Sequence, residues 1–505
     1  MAYRPKLRAH LHLEDGRLAD WLLHRSISLD GAAAAVAAHL DGAHAWPDVR
    51  AALVDAGHEE DDVDAALRGF LVMHATEGAG DALVTRLERV LAKEEQVPTS
   101  ILEGARFECQ GSGGCCQGYM FGPLDDADIA RLEALDLATA FPHVEAPYVE
   151  VDPDRGRFLK RDGDRCVFLG EDRRCGIHAR FGAEAKPGFC RLYPLDTFAT
   201  IEGIRVVDRG TCATFGVSSR KGLPLFDDLP RVRPLMPPST LHHPPVVVDG
   251  WAWDYGLYLR FTSAACELVR RRLGTATATF AAIARMLGAL TDAVMACPLA
   301  PGEPDATVTA VLETAPEAWY EAPSPVEATI ALRRAISLVH EIAPAMFAAA
   351  EQGTAEASVA RFRALAELFE RADSALVRHD GTLVPVEYGP DVDEALRLSL
   401  RQQLFGRHVL LGGHAGSGLV RIGLIHLIAL TGARVDAGDR PITAADLSRA
   451  HMLATRVLHT GSVDMLFVDH EPRWRQVCEG IAVAASVMAA VPAGECDEVP
   501  EIAGG

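Results

Sequence analysis

The sequence predicts a mainly α-helical chain with small β elements, and three observations lead to that reading. Beyond residue 251, apolar residues recur at every third and fourth position through eight segments, the spacing of helix faces. Near the N-terminus, an alternating stretch and a turn dipeptide mark a hairpin, and three short helical segments follow. Between these regions, seven of the eleven cysteines fall between Cys109 and Cys212 in loop-rich sequence. The expected order is a winged-helix-like domain over 1–95, a cysteine domain over 96–223, a proline-rich linker over 224–250 and an irregular helical bundle over 251–505.

Bulk properties narrow the function. A chain of 505 residues is long enough for several domains. Its net charge of −21 repels phosphate backbones, and no basic patch stands out, so nucleic acid is not expected as a partner. The first residues carry charges without an apolar run, unlike a secretory signal. The most apolar segments, 409–430 and 481–490, are interrupted by His414 and Arg421 or too short, so no membrane span is expected. The expected location is the cytoplasm, where clustered thiols stay reduced and point to metal rather than disulfides.

In the N-terminal region, Leu7, Ala9, Leu11 and Leu13 alternate with Arg8, His10, His12 and Glu14, the period of a half-buried strand. Asp15-Gly16 is a favoured hairpin turn, and 21–29 reads as a second extended stretch. Asp30 is placed to cap a helix over 32–40 that stops near Gly42. A second helix fits 46–56, with Pro47 in its first turn and Gly57 at its end. A third fits 60–74, with Val63, Leu67, Phe70 and Leu71 on one face. On Arg4-Pro5-Lys6-Leu7, the hairpin, and Ser28-Leu29-Asp30-Gly31 with its helix, this segment resembles the small PqqD-like peptide-recognition domains. The resemblance implies a module that pairs a peptide against an edge strand. Read from the residues alone, a structural cap or a DNA-binding winged helix remains open. A polar helix over 81–95 leads into the cysteine region.

The cysteines form three blocks and a single residue. The first block is Cys109-Gln110-Gly111-Ser112-Gly113-Gly114-Cys115-Cys116, whose glycines let backbone wrap closely round an ion or cluster. The second holds Cys166-Val167-Phe168-Leu169 and Cys175-Gly176-Ile177-His178, and the third is Lys186-Pro187-Gly188-Phe189-Cys190-Arg191-Leu192-Tyr193-Pro194. Cys212 comes last. Thiolate is a soft ligand that selects zinc or iron–sulfur over magnesium or calcium. Adjacent Cys115 and Cys116 are expected to diverge and so to chelate one ion poorly. The remaining gaps of five, forty-nine, eight, fourteen and twenty-one residues contain no paired zinc knuckle. Widely spaced ligands suit a cluster between several loops. Lys186 and Arg191 would offset its negative charge.

These blocks resemble the CxxCxxCC (YkgJ-type) cysteine-cluster family, described as zinc- or iron-chelating, which includes the flagellin lysine-N-methylases. Ser112 stands where the family's second cysteine falls, so that ligand is missing or replaced by a weaker oxygen donor. His178 replaces an aromatic residue and is a candidate imidazole donor. The resemblance implies a [4Fe–4S] cluster, with zinc or mononuclear iron as the alternative, and S-adenosylmethionine as a candidate methyl donor. The candidate ligands are Cys109, Cys115, Cys116, Cys166, Cys175, Cys190 and Cys212; Cys109, Cys166, Cys175 and Cys190 are the preferred four.

Between the blocks, 124–135 reads as a helix whose Asp125, Asp126 and Asp128 suit its N-terminus rather than catalysis. Tyr119 and Tyr193 could line an entrance or pack over the metal loops. The prolines from Pro224 to Pro245 predict an extended connector, with His242 and His243 as loop residues. Helices are expected over 253–273, 277–295, 326–350, 355–374, 391–405, 419–431, 444–459 and 474–490. The stretch around Leu400-Arg401-Gln402-Gln403-Leu404-Phe405 resembles the C-terminal part of the lysine-N-methylases. The glycine run 412–418 follows no strand and reads as an interhelical loop rather than a nucleotide-binding one. The functional expectation is a metal-dependent protein acting on a polypeptide, by lysine N-methylation where the resemblance holds. The alternatives are a non-enzymatic metal-binding or redox-sensing protein, or a scaffold in peptide maturation.

Overall fold

A computed structural model describes residues 3–20, 25–72, 75–77, 81–92, 98–118, 120–200, 202–235, 246–248, 251–253, 255–296, 306–320, 388–406, 415–458 and the single residues Glu367, Val409, Arg475, Val477, Cys478, Gly480 and Ile481. It is mainly helical with small sheets.

The N-terminal region is a three-stranded antiparallel meander, β1 (Leu11–Glu14), β2 (Arg17–Asp20) and β3 (Arg25–Ser28), followed by helices α1 (Gly31–Ala37), α2 (Trp46–Asp55) and α3 (Glu60–Val72). The sequence reading missed one strand. Asp15 and Gly16 both take positive φ and close a two-residue turn, so the partner strand starts at once at Arg17, pairing with Glu14. The expected extended stretch is the third strand. The Asp30 carboxylate caps α1 by accepting from the Ala33 N–H at 2.8 Å. Val63, Leu67 and Phe70 bury one face of α3 against Leu11, Leu18, Val36, Leu40, Val49 and Leu53. The helix α4 (Asp81–Leu91) follows.

The middle region is built from short pieces. A hairpin, Leu195–Thr200 with Gly203–Asp208, takes Thr99–Ile101 as a parallel third strand. Two further hairpins and several short helices complete the region, with Cys166 on a hairpin strand and Cys190 in a short helix. Past them, the chain departs from expectation: Leu225–Val232 is a helix, with Pro230 inside it, where the prolines predicted extended chain. Leu225 and Val232 are fully buried with Leu102, Leu195 and Phe215, and this packing outweighs proline's cost. His242 and His243 lie outside the described residues.

The helical region is organised around Ala415–Ala437, packed by Ala276–Ala296, Pro390–Phe405 and Ala444–Leu458, with Tyr255–Arg271 beyond. By length and composition, Ala415–Ala437 is apolar enough to cross a membrane, but 89% of its apolar window is buried inside the protein. That is the setting of a core helix. Its first turn takes in Ala415, Gly416, Ser417 and Gly418, so this part of the glycine run is helix rather than loop. A Cβ at Gly418 would overlap the Val409 backbone, so close packing accounts for that glycine. Residues 412–414 lie outside the described residues, as do nearly all of the helices expected over 326–350, 355–374 and 474–490.

A buried polar seam joins the middle region to these helices. His451 stacks on Phe215 at 5.1 Å, faces the Gly210 carbonyl at 3.0 Å through Nδ1, and meets Ser399 Oγ at 2.7 Å through Nε2. Gln403 donates to Ser399 Oγ at 3.0 Å, and the Asp208 N–H donates to the Gln402 side chain at 3.2 Å. Gly210 has φ +70°, and a Cβ there would run into the His451 ring. The seam anchors the chain just before Cys212.

Candidate metal centre

Each cysteine block is shaped by local constraints. In the first block, Gly113 takes φ +68°, and a Cβ there would come within 2.6 Å of the Arg173 carbonyl in the second block. Glycine therefore lets the two blocks touch. The turn Gly114–Cys116 follows, and the Gly118 N–H bonds the Asp164 carbonyl at 2.7 Å, just ahead of Cys166. From Cys166 the chain doubles back: Gly170 N–H donates to Arg174 O at 2.9 Å and Gly176 N–H to Phe168 O at 2.7 Å. This brings Cys175 to the start of the short helix Gly176–Phe181.

Asp128 fixes the third block. The helix Asp126–Glu133 is capped by Asp125, which accepts from the Asp128 N–H at 2.7 Å, as capping predicts. Asp126 pairs instead with Arg157 at 2.6 Å. The Asp128 carboxylate is buried, accepts from Gly188 N–H at 2.8 Å and pairs with Arg131 at 2.6 Å. Gly188 opens the helix Gly188–Leu192, which carries Cys190. Asp128→Ala would leave the part-buried Gly188 N–H and the Arg131 guanidinium without this carboxylate. Its expected cost is about 1–3 kcal/mol, read as a lower urea midpoint with unchanged slope.

These constraints gather five of the seven cysteines round one cavity. Cys115, Cys116, Cys166, Cys175 and Cys190 line it together with Phe121, Phe168, Phe189, Tyr193 and Lys186, and its empty space is about 420 Å³ including the opening to solvent. Cys115 and Cys116 do not diverge as expected. The tight turn brings their Sγ atoms to 3.7 Å, close to the roughly 3.8 Å between two thiolates on one tetrahedral zinc. Among the described residues, no three His, Cys, Asp or Glu side chains are gathered closely enough to hold an ion as they stand.

Electrostatics divides the thiols. Cys116 lies within hydrogen-bonding reach of both Cys115 and Cys175. Sharing a proton with Cys116, helped by Lys186, lowers Cys115 and Cys175 and pushes Cys116 strongly up. The N–H groups of His178 and Ile177 also favour the Cys175 thiolate. Burial pushes Cys166 up to about 12 and raises Cys190, with Lys186 opposing at Cys190. Lys186 thus acts as the expected counter-charge. Arg191 instead pairs with Glu184. Its expected role passes to Arg456, which sequence reasoning missed and which also favours the Cys115 thiolate.

The other candidates lie elsewhere. Cys109 is exposed and does not line the cavity. Cys212 is buried, with its sulfur 3.2 Å from Thr214 Oγ1, and burial raises its pKa. Only three of the preferred four therefore share the cavity. Ser112 faces backbone, its hydroxyl accepting from Gly114 N–H at 3.4 Å, and it is not in the lining. The His178 side chain is exposed and also outside the lining. Tyr193 lines the cavity and its hydroxyl donates to the Thr211 carbonyl. Tyr119 lies outside the described residues.

Residues 108–212 match the model of the CxxCxxCC family, described as "putative zinc- or iron-chelating domain". The match spans all seven clustered cysteines, as the sequence resemblance implied. Comparison with curated proteins found no match. Comparison with solved structures found none either.

Proposed function

We propose that the five-thiol cavity holds an iron–sulfur cluster and that the chain uses it in modifying a polypeptide, with lysine N-methylation as the reaction class. The observation that carries the metal reading is the convergence of five cysteines from three blocks on one cavity beside Lys186. The donor set fits a soft metal. Five thiols are more than one tetrahedral ion needs, which suits a larger inorganic core. Lys186 and Arg456 supply positive charge where thiolates accumulate. When bound, a cluster with one iron free of cysteine supplies a Lewis-acid position for a methyl donor such as S-adenosylmethionine.

The polypeptide reading rests on the N-terminal region. The meander leaves β1 and β3 as edge strands, the element that strand addition requires. A single zinc or iron ion is the second reading, favoured by the 3.7 Å between Cys115 and Cys116.

Elemental and sulfide analysis of protein purified without oxygen tests the cluster. About four irons and four sulfides per chain, with broad visible absorption, are expected. A colourless protein with one zinc per chain would sink the cluster and leave a mononuclear centre.

A further inference from the structure

We propose that Arg456, on the helical region's Ala444–Leu458 helix, is a positioning residue that holds the cysteine blocks in register and couples the metal centre to the helical bundle. The proposal rests on the metal reading above. Arg456 is partly buried and lies 340 positions downstream of Cys116 in the 505-residue chain. Its Nη2 donates to the Gly114 carbonyl at 2.7 Å, on the turn that sets the two adjacent cysteines. The same atom reaches the Tyr193 hydroxyl at 3.3 Å, beside the third block, and the Thr211 carbonyl at 3.5 Å, next to Cys212. Nη1 lies 3.5 Å from the Gln117 carbonyl.

One rigid guanidinium fork therefore touches three separate parts of the cysteine region. The Gly114 contact has the length of a charge-assisted bond, and the three longer ones surround it. Tyr193 closes the network by donating to Thr211 O. A lysine would keep the charge but not the fork. The helix also carries His451, whose ring bears on Gly210, so helix and cysteine loops meet at two points, five residues apart on the helix.

The test uses R456Q, R456K and, as a control, R440Q, which lies just ahead of the same helix and breaks the pair of a half-exposed arginine with Asp446. R456Q is expected to weaken metal retention about 10–100-fold in competition with a chelator, the range for residues that orient ligands. R456K should fall between R456Q and wild type, and R440Q should retain wild-type affinity. In metal-free protein, R456Q should also speed amide hydrogen exchange at residues 114–117. Wild-type retention by folded R456Q, or an equal loss in R440Q, overturns the proposal. If wild type itself binds no metal, the metal reading fails separately, and exchange at 114–117 still decides: faster exchange supports the positioning role, and unchanged exchange ends it.

Discussion

Cys116→Ser is expected to lower metal affinity by more than about 100-fold, beyond the range of supporting residues, while Cys109→Ser leaves metal content within about twofold. The contrast follows from position. Cys116 sits between Cys115 and Cys175 and bonds towards both, so its loss removes the centre of the thiol group. Cys109 is exposed and outside the cavity lining. Cys175→Ser should behave like Cys116→Ser, because the Cys175 sulfur is the one most favoured as thiolate, by the Cys116 bond and by the amides of its own helix. Anaerobic purification followed by metal and sulfide analysis reads all three variants on one scale. Metal lost from Cys109→Ser but kept in Cys116→Ser would reinstate the widely spaced ligand set that the sequence favours.

Why the sequence grouped Cys109 with thiols whose cavity it does not line is a question of reach. Cysteine types and block order were legible, because thiols converge on soft metals and their crowding is visible without a fold. Which sulfurs share a wall depends on turns that spacing does not encode. Gly113 at positive φ and the bond from Gly118 to Asp164 turn Cys115 and Cys116 inwards. Nothing in the pattern of the first block shows that Cys109 stays outside. The helical faces were legible for the same reason as the strands, since periodicity reports burial directly: Val63, Leu67 and Phe70 are buried as expected. Contacts across long sequence separations were not. Arg456 sits in an unremarkable amphipathic helix, and Asp128 resembles its capping neighbours until the fold sets Gly188 against it. Pro230 misled in the other direction, because local propensity yielded to the burial of Leu225 and Val232.

The buried seam should make stability depend on pH in a way that single substitutions can resolve. Burial lowers His451 from 6.5 to about 4, and lowers His426 to about 3, with the neighbouring His451 ring adding to the effect. For a base depressed in the fold, the unfolded chain takes up protons first. Its contribution is therefore fully present above pH 6.5 and is lost as pH falls, by about 1.4 kcal/mol per unit, until the folded pKa is reached. For His451 alone the loss is about 3 kcal/mol. Asp208 opposes this. Burial raises its carboxyl from 3.8 to about 7, so its unfavourable charge develops as pH rises and is relieved as pH falls. Between pH 6.5 and 4, two histidines act against one carboxylate. Removing either kind should change the slope in opposite directions: H451Q is expected to flatten the fall by about 1.4 kcal/mol per pH unit, and D208N to steepen it by a similar amount. Urea unfolding followed by circular dichroism at half-unit steps across this window measures both. Equal slopes in wild type, H451Q and D208N would mean that these groups titrate alike folded and unfolded, and that the seam opens to water.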